Sequence, residues 1–446
     1  MSERGKPGQS DLITSAVGRL FKLGGLATRV GMSLATEQAI GFLFSDPIAQ
    51  ARRTEKFMLN AVRVTEALGE LKGAAMKAGQ MLSVHEGLLP PEFLEVLRRL
   101  QKEAPTVPFE QMRAVIAEEL PDFEVLFESL EEEPVAAASI GQVYRGRLRD
   151  GRTVAVKVQY PEIDEVVRSD LKNLKKLFGA LMAMVADVDF DEIWDELRER
   201  LLEELDYEHE AVNMRRMSAL HHDVPEVIVP DVVGEASSRR VLTMTYVPGI
   251  APDEAASDTY DQTLKDLWGR HLLEFVIRGL LEHRFLHADP NFGNYAFRDD
   301  GRVVVYDHGC MKEIPEALAT GYRRVLGALI DQDMERLPGL LYEMGIYKRR
   351  SGRPVPLGVI EPLAREAMSI VGDAPFRFSR ETDIYDLIFE TKSRYLSEIT
   401  DLAVPRDTVF VNRTLSGIFG NLCRLGAEGQ WRDVLAPWAE PSTPRA

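Results

Sequence analysis

The sequence predicts an α+β fold in two lobes, a small antiparallel sheet followed by a larger helical body. Three observations carry that expectation. Asp150-Gly151 and Asp299-Asp300-Gly301 each separate two short apolar runs, and such turns mark hairpins. Long stretches before, between and after them carry apolar residues at helical spacing. No internal repeat or low-complexity segment interrupts this order.

At 446 residues the chain has room for two or three domains, or for one elaborated two-lobed enzyme. A 45% apolar and 28% charged composition is ordinary for a globular protein. The net charge of −17 argues against nucleic acid as a partner. Only Cys310 and Cys423 occur, without a pairing pattern, which suits a reducing compartment. The opening MSERGKPGQSD lacks the apolar core of a signal peptide. No run approaches the ~20 apolar residues of a spanning helix; the longest, Phe178 to Val188, is bounded by Lys and Asp. The expected location is cytoplasmic, with peripheral membrane contact as an option.

Residues 11–50 are mildly basic and apolar, with Arg19, Lys22 and Arg29 among aliphatic residues and Gly24, Gly25 and Gly31 as interruptions. Such a segment either lies on anionic lipid or packs as a helix pair on the body, and its modest charge favours the latter. From Thr54 to His85, Phe57, Ala61, Val64, Leu68, Leu71, Ala75, Ala78, Met81 and Leu82 recur at helical spacing. Gly73 and Gly79 lie inside this helix, where each costs up to ~1 kcal/mol relative to Ala, so a close approach or a kink is expected there. Lys77 and Gln80 share a face. Further helices are expected over Pro91 to Glu103 and Phe109 to Glu119.

Strand character begins at Val135. Val143 to Leu148 and Thr153 to Gln159 flank Asp150-Gly151, and the preceding Ala136 to Gln142 reads as a small-residue loop. Lys157 sits among valines on the second strand. A lysine so placed is how a nucleotide-binding lobe reaches phosphates; a snorkelling strand lysine is the plainer alternative. Pro161 to Leu220 reads as helical and acidic, with Glu204, Asp206 and Glu210 as the carboxylates of interest. Arg240 to Val247 reads as a strand able to offer hinge backbone to an adenine ring. Helix is expected from Asp258 to Glu282. Beyond Met311 it is expected to about Leu425, with breaks at Lys348 to Pro356 and Asp373 to Pro375.

His283 to Gly309 concentrates the chemistry. It reads as a loop, strands at Tyr295 to Phe297 and Val303 to Tyr306, and a second loop. Asp289 and Asn294 fall on the first loop and Asp307 on the second, so the hairpin should bring all three to one end. Phosphoryl transfer assisted by Mg²⁺ needs such a set: Asp289 to orient or deprotonate a nucleophile, Asn294 and Asp307 as hard oxygen ligands to the metal. Ordinary surface turns use the same residue types.

Taken in order, these pieces resemble the UbiB/AarF/ADCK family of atypical protein-kinase-like proteins, from about residue 60 to 310. KAGQ (Lys77, Gly79, Gln80) resembles the family's N-terminal signature, a helix folded over the active site. Ala136 to Ser139 is similar to its alanine-rich replacement for a glycine-rich loop. Lys157 resembles the ATP-contacting lysine, Glu210 its ion-pair partner, and Glu204 with Asp206 the Glu-x-Asp element. Asp289, Asn294 and Asp307 resemble the catalytic-loop and metal-binding residues. The chain departs in Asp307-His308-Gly309, where the family usually carries Phe for His308, and in lacking the C-terminal spanning segments of some members.

The resemblance implies a two-lobed kinase-like fold. Its segments are an amphipathic segment (1–50), a helical extension (51–128), a sheet lobe with a helical insertion (129–248), a helical lobe (249–430) and a tail (431–446). It further implies ATP between the lobes, against Ala137, Ala138, Ser139, Val143, Ala155, Lys157 and Glu210, with Met244, Thr245, Tyr246 and Val247 as hinge. Mg²⁺ on Asn294 and Asp307, catalytic roles for Asp289, Lys157 and Lys77, and a lipid or isoprenoid partner complete the implied set. An alanine-rich loop resists φ > 0 and holds phosphates less closely than glycine, which favours ATP hydrolysis or a small acceptor over a protein substrate. Three other readings compete: a nucleotide-binding pseudokinase, a protein serine/threonine kinase, and a metallohydrolase using His287, Asp289, Asp307 and His308.

Overall fold

The structure, a computed structural model, describes residues 107–138, 140–165, 202–346, 356–379 and 405–440, with isolated positions in 167–199 and 348–403. Expectations for residues 1–50, for the Thr54 to His85 helix with Lys77, Gly79 and Gln80, and for Ser139 lie outside these residues.

In chain order the principal elements are α1 (Phe109–Glu119), β1 (Phe127–Leu130), β2 (Ala136–Ala138), β3 (Gly141–Leu148), β4 (Thr153–Gln159), α2 (Tyr207–Leu220), β5 (Val227–Ile228) and β6 (Val241–Thr245). There follow α3 (Gln262–Ile277), β7 (Phe285–His287), β8 (Tyr295–Phe297), β9 (Val303–Val305), β10 (Met311–Glu313), α4 (Glu316–Ile330), α5 (Leu357–Ile370), α6 (Arg406–Leu425) and α7 (Trp431–Leu435). The chain divides into two compact units, Met1–Tyr207 with Glu235–Thr243, and Glu208–Gly234 with Met244–Ala446.

The first unit is an antiparallel sheet in the order β1-β3-β4-β6, with β2 also paired to β3. Gly151 at φ +94° turns the β3–β4 hairpin, a conformation glycine takes without a Cβ clash. Asp150 accepts from the Arg152 backbone N–H at 3.0 Å and closes the turn. On one face Tyr144, Leu148, Val154, Val156 and Val158 are buried. Helix α1 buries Met112, Val115 and Ile116, the i, i+3, i+4 stripe an amphipathic helix presents to a core.

The small-residue stretch corrects the sequence expectation, because Ala136–Ala138 is a strand and not a loop. Ala136 pairs with Val143 and Ala138 with Gly141, and Val135 N–H donates to the Val143 carbonyl at 2.8 Å. Alanine resists the left-handed backbone that phosphate-cradling loops use, and here its backbone joins the ladder instead. Gly141, just past the turn, has no room for a side chain: a Cβ would stand 2.2 Å from the Val158 carbonyl oxygen. Gly141→Ala is therefore expected to destabilise the chain by ~1–3 kcal/mol, read as a lower urea midpoint at unchanged m-value. An unchanged midpoint would mean that the ladder yields without loss.

The second unit is built on α3. Asp261 caps its first turn by accepting from Leu264 N–H, and the helix buries Trp268, Leu272, Leu273, Phe275 and Val276. Packed with them are Phe297, Val303, Val305, Ile418, Leu422 and Trp431. Met217 of α2 belongs to the same core, which is why α2 goes with this unit. Helix α6 stops at Gly426, left-handed at φ 66°. Strands β8 and β9 pair antiparallel and β5 adds in parallel beside β9; Gly301 at φ +85° makes the expected turn. Strands β7 and β10 form a second, two-stranded sheet. Both were absent from the sequence expectation, which read loop before Asp289 and helix from Met311; three residues are too few for a period-2 pattern to show. The expected helical continuation likewise omitted the two-residue strands Phe376–Arg377 and Leu402–Ala403; Lys348–Arg349 falls in the expected break and Glu428–Gly429 beyond Leu425.

Candidate active site

The topology of the second unit brings its two polar loops to one end. Tyr295, at the start of β8, faces Val305 at the end of β9. His287, at the end of β7, faces Met311 at the start of β10. The loops carrying Asp289 and Asp307 therefore leave these strands side by side. Backbone bonds join them: Ala288 N–H donates to the Cys310 carbonyl at 2.8 Å and Tyr306 N–H to the Asn294 carbonyl at 3.0 Å.

Within the first loop, the Asn294 amide donates to the Asp289 carbonyl at 3.2 Å, which turns its Oδ1 away as the atom able to meet a cation. Asp289 Oδ1 accepts from Asn291 N–H at 3.3 Å. Helix α6 supports the loop from behind, with Asn421 donating to the Pro290 carbonyl at 2.8 Å. Gly417, one turn earlier, lies so close that a Cβ would sit 2.3 Å from Pro290 Cγ. Asp289, Asn294 and Asp307 are half-buried, whereas His287, His308 and Tyr295 beneath them are buried. Burial, and then the charge of Asp289, push the Tyr295 hydroxyl far above its ordinary range. It stays protonated and serves as packing.

The second loop is held at each of its peptides. His287 Nε2–H donates to the Asp307 carbonyl at 2.6 Å, and Gly309 N–H donates to Asp307 Oδ1 at 3.0 Å. His308 N–H donates to Glu210 Oε1 at 3.3 Å, while the Asn213 amide donates to the His308 carbonyl at 3.1 Å. His308 fills the position usually given to Phe, wholly buried, its ring edge-on to His287 at 5.7 Å between centroids. His287 Nε2 is committed to backbone, and among the described residues no group of three or more His, Cys, Asp or Glu is placed to hold a metal.

The segment read as a hinge is tied on both sides. Asp231 and Thr245 exchange bonds, Thr245 N–H to the Asp231 carbonyl at 2.8 Å and Asp231 N–H to Thr245 Oγ1 at 2.9 Å. Tyr306, its hydroxyl pushed up to about 12 by burial, donates to the Val247 carbonyl at 2.8 Å. Met244 is buried, and Thr245, Tyr246 and Val247 are half-buried.

In the first unit, Lys157 is 8% exposed and pairs across the hairpin with Val143. The pleat puts Ala138, Val143, Ala155 and Lys157 on one face, while Ala137, paired with Gln142, falls on the other. The Lys157 ammonium lies 4.9 Å from the Tyr207 ring centroid, a cation–π distance that steadies a buried charge. Glu204 and Asp206 sit in the turn just before α2, where Gln159 donates to the Leu205 carbonyl at 2.9 Å. Sequence reasoning missed Asn213, His287 as a backbone anchor, Asn421 and Tyr306. Of these only Asn213 carried a signal, its i+3 spacing from Glu210 on one helix face.

The comparisons with known proteins agree with this architecture. Residues 99–340 match the ABC1 atypical kinase-like domain. The chain belongs to that family. The rat (Rattus norvegicus) protein named "Atypical kinase COQ8B, mitochondrial" is 31% identical over 432 residues, 94% of this chain and 80% of that protein. The Saccharomyces cerevisiae "Atypical kinase COQ8, mitochondrial" is 28% identical over 94% of this chain and 83% of its own length. The chain spans about half (53%) of the zebrafish (Danio rerio) COQ8B relative it also matches. A Mycobacterium tuberculosis structure, described as the complex of Rv3197 with erythromycin, matches with a TM-score of 0.63 at 30% identity. It covers 88% of this chain and 100% of that one. The ABC1 family assignment and the kinase-like α+β fold thus rest on sequence and structure together.

Proposed function

We propose that this ABC1-family chain catalyses ATP- and Mg²⁺-dependent phosphoryl transfer, as an ATPase or as a kinase for a small acceptor. The observation that carries the reading is the convergence of Asp289, Asn294 and Asp307 at one end of the β7–β10 and β8–β9 pairs. The donors are hard oxygens, two of them on Asn294 and Asp307, which suits a cation that keeps several waters. Bound there with nucleotide, Mg²⁺ would neutralise charge developing on the phosphates. Asp289 orients the attacking hydroxyl or water and accepts its proton. In the first unit Lys157 is the phosphate-contacting cation, on the strand face it shares with Ala138, Val143 and Ala155. The family resemblance adds a role for Lys77, Gly79 and Gln80 in excluding bulky acceptors, and a setting in isoprenoid-quinone or other lipid metabolism.

Among the described residues no helix is long and apolar enough to cross a membrane; contact with a lipid surface, through residues 11–50 or through a partner, belongs to the proposal. The test is ATP turnover by the full chain with Mg²⁺ or with chelator, with and without vesicles containing anionic phospholipid. The expected result is turnover that stops on chelation and rises several-fold with vesicles. Nucleotide binding without turnover would replace this reading with a pseudokinase. Absence of nucleotide binding would remove both.

A further inference from the structure

We propose that Asn213 is a positioning residue for Asp307, a role that rests on the metal-dependent reading above. Helix α2 presents Glu210 and Asn213 three residues apart, and so on one face. The two side chains grip both polar groups of a single residue in the second loop. Glu210 Oε1 accepts the His308 N–H at 3.3 Å, and Asn213 Nδ2 donates to the His308 carbonyl at 3.1 Å. Both side chains are buried, at 3% and 6% exposure, as is His308 at 0%. The His308 carbonyl therefore depends on a protein donor, and Asn213 is one.

The chemistry of the amide explains the choice of residue. A carboxylate at position 213 would face a carbonyl oxygen with another acceptor, and an aliphatic side chain would leave that oxygen without this donor. Asn supplies two hydrogens, and His209 Nδ1 lies 3.5 Å from the same nitrogen. Rotation of the peptide between His308 and Gly309 is thereby resisted. Gly309, whose N–H holds Asp307 Oδ1, has no Cβ to resist it on its own. Asn213 thus determines where the Asp307 carboxylate stands without touching metal or nucleotide, as outer groups that orient metal ligands do.

The test is the Mg²⁺ concentration needed for half-maximal binding of a non-hydrolysable ATP analogue, by calorimetry on the full-length chain. Asn213→Leu, close in size and without a donor, is expected to raise it about tenfold or more. Affinity for the analogue in chelator should stay at the wild-type value, a split that a loss of folded protein would not produce. Asn213→Gln and Asn213→Met are a second pair of equal length, of which only Gln keeps the amide. Gln is expected to recover part of the metal affinity and Met none. An unchanged Mg²⁺ requirement in folded Asn213→Leu, or equal behaviour of Gln and Met, would overturn the assignment. Equal wild-type affinity for the analogue with Mg²⁺ and in chelator would instead overturn the functional reading beneath it.

Discussion

Asp307→Asn is expected to lower Mg²⁺-dependent ATP turnover by at least about 100-fold while the fold is retained. Substitutions one shell out from a metal commonly cost about 10–100-fold, and a directly ligating carboxylate should exceed that. The fold is retained because Asn keeps an oxygen at the Oδ1 position, where Gly309 N–H donates at 3.0 Å. His287 holds the main-chain carbonyl of residue 307, at 2.6 Å, and not its side chain. What is lost is the negative charge. Nucleotide affinity in the presence of Mg²⁺ should therefore fall with turnover, and affinity in chelator should not.

Asp289→Asn separates the two carboxylates. Its Oδ1 accepts an in-loop bond from Asn291 N–H, and its proposed role is toward the nucleophile. Turnover should fall by about 10²–10⁴-fold, the range of a lost general base, with Mg²⁺-nucleotide affinity near wild type. Steady-state turnover and calorimetric binding on both variants check the pair. Wild-type turnover in Asp307→Asn would end the proposed mechanism, whatever Asp289→Asn does.

Trp268→Ala should destabilise the second unit by ~3–5 kcal/mol, the cost of truncating a buried Trp. Trp268 is 0% exposed in the middle of α3. Its ring meets Tyr260 edge-on at 5.3 Å and Phe297 at 5.2 Å, and its indole N–H donates to the Arg298 carbonyl at 2.8 Å. Truncation leaves a cavity and takes from the Arg298 carbonyl one of its two donors, the other being Gly301 N–H at 2.9 Å. Because folded domains are stable by only ~5–15 kcal/mol, this is a large fraction of the total. Phe297 ends the strand that begins beside Asn294, so the site should loosen along with the core. Trp268→Phe keeps most of the volume but not the indole donor, and is expected to lose roughly 1–3 kcal/mol. Urea denaturation of the three proteins checks this, and a Trp268→Ala loss under ~1 kcal/mol would count against the packing described.

The sequence by itself determined the class of fold, the β3–β4 and β8–β9 hairpins and the ABC1 family. Glycine turns, runs of valine and helical spacing are local signals, each read within a dozen residues. Asp289, Asn294 and Asp307 stood out only in company with the other family-like motifs, since their residue types and spacing alone also suit surface turns. Local signals failed where pairing was distant. Strands β7 and β10 are three residues each and are strands only because His287 meets Met311 across the site loops. The Ala136–Ala138 strand exists because β3 offers it an edge.

Only the tertiary structure decided how the Asp307 loop is held. Three of its contacts come from residues far away in sequence: Glu210, Asn213 and His287. It also decided where the His308 ring goes, buried edge-on against His287. Tyr306 and Asn421 could not be foreseen, because a buried hydroxyl or amide is chosen by the carbonyl it must satisfy. Which carbonyl that is emerges only when the chain has folded back on itself.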